Sequence, residues 1–402
     1  MTKTPAGNCD VCVVGGAGHV GVALALVLAD SGFKTLILDI NKAALETIAA
    51  GHLPFFEEGG EALLEKVLAG GGLAFSSDAK SVEQATFVVV TIGTPIDEFH
   101  NPEVSNLTRC FDELMPYLRD DQTILLRSTV APGTTAYIDN YLRDRGKKTR
   151  LAFCPERVVQ GKGIAEIRAL PQLISGTSPE AVAAAKKLFG EIALEVVEML
   201  PLEAEFAKLV CNAFRYIQFA ATNQLYMMVE ASGLNYVDLL TKMKRHYPRM
   251  ESIPGPGFTA GPCLMKDTMQ LFAFQKHDFI LGQVAMTINE GLPNFIVERL
   301  ARQFDLRKTR VGILGMAFKA ESDDIRESLS YKLGKLLRFH GAKVFYSDEY
   351  AKDPTFVSKE ELIASSDVVI VGAAHNAYRQ LQIPARTEVV DLWSVLPAKE
   401  RS

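Results

Sequence analysis

Val11-Cys12-Val13-Val14-Gly15-Gly16-Ala17-Gly18-His19-Val20-Gly21-Val22-Ala23-Leu24 is the stretch on which the fold turns. Its first four residues read as a strand buried on both faces. Gly16, Gly18 and Gly21 then make a tight turn, and the apolar residues that follow have helical spacing. Strand, glycine turn and helix in this order form a phosphate cradle. Without side chains, backbone N–H groups can approach a pyrophosphate, and the helix N-terminus adds unpaired donors. Asp39 closes the next strand-like run, Thr35–Leu38. A carboxylate there accepts from ribose hydroxyls and repels a 2′-phosphate, so the expected cofactor is NAD rather than NADP. Gly16, Gly18, His19, Val20, Gly21 and Asp39 are the candidate cofactor residues, with His19 in a packing or backbone-contact role.

Outward from this stretch, Phe87–Thr91, Thr123–Arg127, Arg150–Phe153 and Gln172–Ser175 read as further strands with helical patterns between them. That alternation means a parallel sheet covered on both faces. From Pro201 to Ser232 the apolar residues recur at helical spacing, with Gly233 as the stop. A helix of that length suits a bridge between domains or a contact with a partner subunit. A loop rich in Gly and Pro follows, from Tyr247 to Pro262. The strand–helix alternation resumes at Arg310, with strands at Val311–Leu314, Lys343–Tyr346, Val368–Val371 and Val389–Val390. The expected architecture is α/β: two Rossmann-like, doubly wound parallel-sheet domains joined by a helical middle domain with one long helix. Its expected boundaries are 1–200, 201–300 and 301–402.

Composition narrows the function classes. The chain has 402 residues, 48% hydrophobic and 23% charged, with a net charge of −5. That is a globular composition with no bulk positive charge, so neither nucleic acid nor an anionic membrane is an expected partner. Val11 to Ala29, the one long apolar stretch, is strand, turn and helix rather than a membrane span. The start, Met1 to Asn8, is too polar and short for a signal peptide, and a cytoplasmic protein is expected. The 6 cysteines are scattered, which suits reduced thiols. Cys9 and Cys12 have no second pair or His cluster beside them, so no metal is expected.

Several chemistry-bearing residues fall where open α/β sheets bind ligands, just past the strands' carboxyl ends. They are Thr94-Pro95, Ser128-Thr129-Val130 and Glu156 in Cys154-Pro155-Glu156-Arg157. Lys208 and Asn212 lie one turn apart on the long helix and interrupt its apolar pattern. Cys263 follows the Gly/Pro loop and opens a helix with Lys266 and Asp267 in its first turn, a setting that favours the thiolate nucleophile. The second α/β region begins Gly315-Met316-Ala317-Phe318-Lys319. Phe318 stands where a third glycine would be. With Lys319 and Arg326 nearby, this turn suits a phosphate held by side chains.

Together these motifs resemble the UDP-glucose/GDP-mannose dehydrogenase family over nearly the whole chain. The resemblance rests on the glycine turn, Thr94-Pro95-Ile96-Asp97, Ser128-Thr129-Val130, Cys154-Pro155-Glu156-Arg157, Lys208 with Asn212, Gly261-Pro262-Cys263-Leu264-Met265-Lys266-Asp267, and Ala317-Phe318-Lys319 with Asp323-Asp324-Ile325-Arg326. It implies oxidation of a nucleotide sugar's C6 alcohol to a carboxylate with two NAD and no metal. It implies Cys263 as the nucleophile, Lys208 with Asn212 at the oxyanion, Glu156 in acid/base steps, and Asp267 with Thr129 for water. Thr94 and Thr129 would line the cofactor site. Glu156, Lys208, Asn212, Phe258, Lys319 and Arg326 would meet the sugar, and Arg249 would reach a neighbouring subunit's substrate, implying a homodimer or dimer-based oligomer. Residues 1–200 would then be the NAD domain, 201–300 the central dimerisation domain with the cysteine loop, and 301–402 the UDP-binding domain.

Gln160 departs from the pattern, standing where UDP-glucose enzymes carry a second glutamate. The loop before Cys263 is one residue longer than usual after its aromatic. The runs His246-Tyr247-Pro248-Arg249 and Pro254-Gly255-Pro256-Gly257 look more like the branch that oxidises UDP-N-acetylhexosamines, with UDP-glucose and GDP-mannose as the alternatives. Two other readings share part of the pattern: a two-electron β-hydroxyacid-type dehydrogenase with Cys263 structural, and a non-catalytic nucleotide-sugar sensor. Cys263 with Lys266 and Asp267, together with the second phosphate-type turn, weighs against both.

Overall fold

The computed structural model describes residues 9–97, 102–276 and 278–397; the polar start read above for a leader lies outside them. The chain divides into two compact units, residues 1–211 and 212–402. In the first, the apolar runs become β1 (Cys9–Val14), β2 (Thr35–Leu38), β3 (Leu73–Ser76), β4 (Ala85–Val90), β5 (Thr123–Leu126), β6 (Arg150–Phe153), β7 (Gln172–Gly176) and β8 (Val196–Glu198). They form one sheet in the order β3-β2-β1-β4-β5-β6-β7-β8. Alternate residues feed two cores. Val11, Val13, Ile37 and Val89 pack on one face, and Cys12, Val14, Leu36 and Val90 on the other. Strands buried on both faces need apolar residues at every position, which is why they read as unbroken runs.

β3 and β8 were not expected from the sequence, and β7 runs antiparallel to β6, where a wholly parallel sheet was expected. After β1 the chain turns into the helix His19–Asp30. A Cβ on Gly21 would lie 2.5 Å from Gly16 Cα, so the turn and the helix can close this tightly only with glycine.

The long helix Pro201–Ala231 gives its first turns to the first unit and the rest to the second. Gly233, φ +77, follows it in the left-handed conformation expected of a stop. The second unit contains the helices Leu264–Phe274 and Ile280–Gln303. It also holds a parallel sheet of β9 (Arg310–Leu314), β10 (Lys343–Ser347), β11 (Val368–Val371) and β12 (Glu388–Val390) in the order β10-β9-β11-β12. Among the described residues no helix is long and apolar enough to cross a membrane.

One buried carboxylate ties the first unit's loops to the long helix. Glu205 is 1% exposed. It accepts from the Gly133 and Thr135 amides at 2.6 and 2.7 Å and from the Thr135 hydroxyl at 2.6 Å. These amides open the helix Thr134–Asp144, whose N-terminal dipole favours a negative charge. Burial pushes the Glu205 carboxyl up, and the Thr135 and Gly133 donors oppose that rise. Glu205→Ala would strand these donors, each buried group costing about 1–3 kcal/mol. The melting temperature should fall by several degrees in calorimetry. An unchanged melt would show that Glu205 does not anchor the Ser128–Gly133 loop.

Candidate active site

In the first unit Asp39 closes onto the glycine turn. Asp39 Oδ2 accepts from the Ala17 amide at 2.9 Å, and its Oδ1 from Asn41 at 2.9 Å. The helix His19–Asp30 starts at Gly18 with no side-chain cap, leaving its first amides available to an anion. A Cβ on Gly16 would meet the Val13 carbonyl at 2.6 Å, so the cradle depends on the absence of side chains. These features fit a dinucleotide pyrophosphate with Asp39 toward its ribose. The His19 ring lies on Phe55 with centroids 3.8 Å apart, and the Gln160 amide reaches its Nε2 at 3.0 Å. Gln160 therefore contacts the first residue of the helix His19–Asp30. The Thr94 hydroxyl donates to the Thr129 carbonyl, and Ser128 Oγ to Ile92 O at 2.7 Å. The turns after β4 and β5 are thereby stitched together.

Glu156 follows β6, half-buried, with its carboxylate accepting from its own Val158 amide. Two residues that sequence reasoning missed hold its segment. Arg127 Nη1 donates to the Cys154 carbonyl at 3.3 Å and to Gln172 Oε1 at 2.8 Å. Gln172 Nε2 in turn donates to the Pro155 carbonyl at 3.0 Å. Arg127 is 2% exposed, and its desolvation holds its guanidinium below the usual arginine range, opposed by the Glu156 charge. An arginine ending an otherwise apolar strand was the available signal.

Lys208, on the long helix, is buried, at 6% exposed, and no carboxylate among the described residues pairs with it. One turn on, Asn212 Nδ2 donates to Asp267 Oδ2 at 2.6 Å. Asp267 is 1% exposed; its other oxygen has the Lys266 ammonium 3.4 Å away but accepts no hydrogen bond. A buried carboxylate oxygen without a donor is unusual, and a polar ligand or water satisfies such a group.

Cys263 is the N-cap of the helix Leu264–Phe274 and is exposed. The preceding Gly261, φ +95, packs so closely on Phe318 that a Cβ would come within 2.4 Å of the ring. The Gly261 amide also donates to the Glu327 carbonyl at 3.4 Å. These contacts bring the cysteine loop beside the Phe318–Ser328 loop. Arg326, fixed by Asp324 at 2.6 Å, is raised above the usual arginine range, first by that hydrogen bond, with smaller contributions that include the Cys263 charge. Lys319 is half-buried in the same loop.

Two other candidates lie in different surroundings. Arg249 is exposed and stacks near the Tyr247 ring, 5.6 Å from its centroid. Phe258 sits in the second unit's core, 3% exposed, among Tyr226, Leu292 and Leu392. Its loop is held by Asn223, which donates to the Gly257 carbonyl at 3.0 Å and accepts from the Gly257 amide at 2.9 Å. Of the remaining thiols, Cys211 is exposed like Cys263 and the other four are not. Burial pushes Cys9 up to about 11 and Cys110 and Cys154 up to about 12.

Comparison with known proteins covers most of the chain. Models of the UDP-glucose/GDP-mannose dehydrogenase family match residues 9–193 (NAD binding domain), 202–290 (central domain) and 312–398 (UDP binding domain). A UDP-N-acetyl-D-mannosamine dehydrogenase of Methanocaldococcus jannaschii is 27% identical over 376 residues, covering 92% of this chain and 86% of that protein. An NDP-N-acetyl-D-galactosaminuronic acid dehydrogenase of Ralstonia nicotianae is 26% identical, covering 91% of each. The structure of the UDP-D-ManNAc dehydrogenase of Pyrococcus horikoshii aligns with a TM-score of 0.89 at 25% identity, over 96% of both chains. The chain therefore belongs to the UDP-glucose/GDP-mannose dehydrogenase family and is an NAD-dependent oxidoreductase of nucleotide sugars.

Proposed function

We propose that this protein oxidises the C6 alcohol of a UDP-N-acetylhexosamine, UDP-ManNAc or UDP-GlcNAc, to the carboxylate with two NAD per sugar. The observation that carries the reading is Cys263: an exposed thiol at a helix start, electrostatically coupled to Arg326 beside the second phosphate-type turn. The relatives named for N-acetylated sugars support this substrate class over UDP-glucose or GDP-mannose.

NAD, when bound, accepts the hydride of each oxidation. The Gly16–Gly21 turn holds its pyrophosphate and Asp39 its ribose, with Thr94 and Thr129 lining the site. Glu156 takes the C6 hydroxyl proton, positioned from behind by Arg127 and Gln172. The Cys263 thiolate adds to the aldehyde, giving a thiohemiacetal that is oxidised to a thioester. Lys208, buried with no carboxylate pairing it among the described residues, stabilises the oxyanion with Asn212 beside it. Asp267 offers Oδ1, which accepts no hydrogen bond, to the hydrolytic water, with Thr129 on the proton path. Lys319 and Arg326 hold the diphosphate. The corresponding domains are 1–200 for NAD, 201–300 central and 301–402 for the UDP-sugar.

A homodimer fits Arg249 reaching a neighbour's substrate, and Phe214, Leu225 and Met228 remain exposed on the long helix. Six free cysteines suit the cytoplasm, and the product suits polysaccharide biosynthesis.

Cofactor choice tests Asp39. Repulsion of a 2′-phosphate should make kcat/KM for NAD exceed that for NADP by about tenfold or more. Equal values would remove the role assigned to Asp39.

Thiol reactivity tests the site's accessibility. Iodoacetamide at neutral pH should modify Cys211 and Cys263, both exposed, and spare Cys12 and Cys154, both buried. Added UDP-sugar should protect Cys263 alone; equal protection of Cys211 would contradict this placement.

Stoichiometry tests the mechanism. Wild-type enzyme should form two NADH per sugar and release the acid, and Cys263→Ser should lose net turnover by orders of magnitude. One NADH per sugar together with an active Cys263→Ser enzyme would point to the two-electron reading.

A further inference from the structure

Glu321 sits within the Phe318–Ser328 loop with φ +52, a left-handed backbone that a residue carrying a β-carbon adopts only when its surroundings impose it. The surroundings that impose it are all polar. The Glu321 amide donates to His375 Nδ1 at 3.0 Å. Its carboxylate accepts from the Tyr350 hydroxyl and the Asn376 amide, each at 2.7 Å. Because His375 Nδ1 accepts, the ring's proton lies on Nε2, which faces Asp348 Oδ2 at 3.2 Å. Asp348 Oδ2 also accepts from the Met316 and Ala317 amides, at 2.6 and 2.9 Å. His375 is fully buried between the Tyr350 and Tyr378 rings, at centroid distances of 5.1 and 5.3 Å.

Traced along the chain, these bonds close a circuit. Met316 and Ala317 hang from Asp348, Asp348 meets His375, and His375 takes Glu321. Lys319 lies between the two anchored ends. Its backbone is therefore fixed from residues about 30 and 55 positions away in the chain.

We propose that His375, Glu321 and Tyr350 are positioning residues that hold Lys319 in the geometry needed to bind the nucleoside diphosphate of the substrate. The proposal rests on the reading of Lys319 as a diphosphate ligand. Burial would raise the Glu321 carboxyl, but the Tyr350 and Asn376 donors outweigh it and keep the group below its ordinary range. Tyr350 is pushed up to about 12, first by its hydrogen bond to Glu321. Both shifts favour the anion–phenol pair that the brace uses.

The test is UDP binding to the full-length protein by titration calorimetry, with Tyr350→Phe, His375→Leu and His375→Asn. Tyr350→Phe deletes one hydroxyl and should weaken UDP about three- to tenfold, because only part of the lost hydrogen bond to Glu321 is felt at Lys319. His375→Leu should weaken it further, and His375→Asn, which keeps an acceptor near the Glu321 amide, should recover part of the loss. In turnover the sugar KM should rise while the NAD KM stays constant. Trp393, the single tryptophan, reports by its fluorescence that the second unit is folded. If His375→Leu does not fold, Tyr350→Phe decides alone. Wild-type affinity in a folded Tyr350→Phe overturns the brace. Failure of the wild-type protein to bind UDP overturns the diphosphate reading instead, and the brace with it.

Discussion

In each unit, a carboxylate at the end of the sheet's second strand takes hold of the turn that follows the first strand. The number of amides it takes differs between the two. Asp39 accepts from one amide of the turn, Ala17, and leaves the start of the following helix uncapped by any side chain. That helix begins at once, so its dipole and open amides face an incoming anion. Asp348 accepts from two amides, Met316 and Ala317, at the same point of the second sheet. No helix starts there; the chain first runs through the loop to Ser328, which caps the helix Leu329–Phe339. The Met316 and Ala317 amides, engaged by Asp348, are therefore not open to an anion as the first amides of the helix His19–Asp30 are. On the proposed reading, Lys319 and Arg326 on the loop hold the phosphates instead. One strand plan thus yields a turn that leads directly into a helix in the first unit and a turn followed by a loop in the second.

Much of this was legible in the residues. Unbroken apolar runs marked the strands because both faces of the first sheet are buried, and Phe318 in place of a glycine marked the second turn as different. The Leu73–Ser76 strand escaped because it has four residues, no β-branched run, and follows three glycines. Val196–Glu198 escaped because two half-buried valines and an exposed glutamate at the sheet edge carry no periodicity. The antiparallel run of Gln172–Gly176 against Arg150–Phe153 escaped for another reason: burial pattern records faces, not direction.

The site shows a similar division. Cys263, Lys208, Asn212 and Asp267 stand out by residue type and local spacing. The residues that hold the loops after the strands do not, because buried polar partners are set by tertiary contact. Arg127 reaches across to Cys154 and Gln172, Glu205 to Thr135, and Asp348 to Met316. None of these pairs has a spacing that marks it in the sequence. Each is costly to bury singly and stable only when its hydrogen bonds are complete, so such groups specify one arrangement of the loops they hold.

On the proposed reading the two glycine turns are committed to different ligands. Hydrogen–deuterium exchange read by mass spectrometry, with NAD alone and with UDP alone, tests it most directly. NAD should slow exchange in the peptide spanning Gly15–Leu24 and leave the peptide spanning Gly315–Ser328 unchanged, and UDP should do the reverse. Protection of both segments by NAD, or of neither by UDP, would contradict the division of labour drawn here.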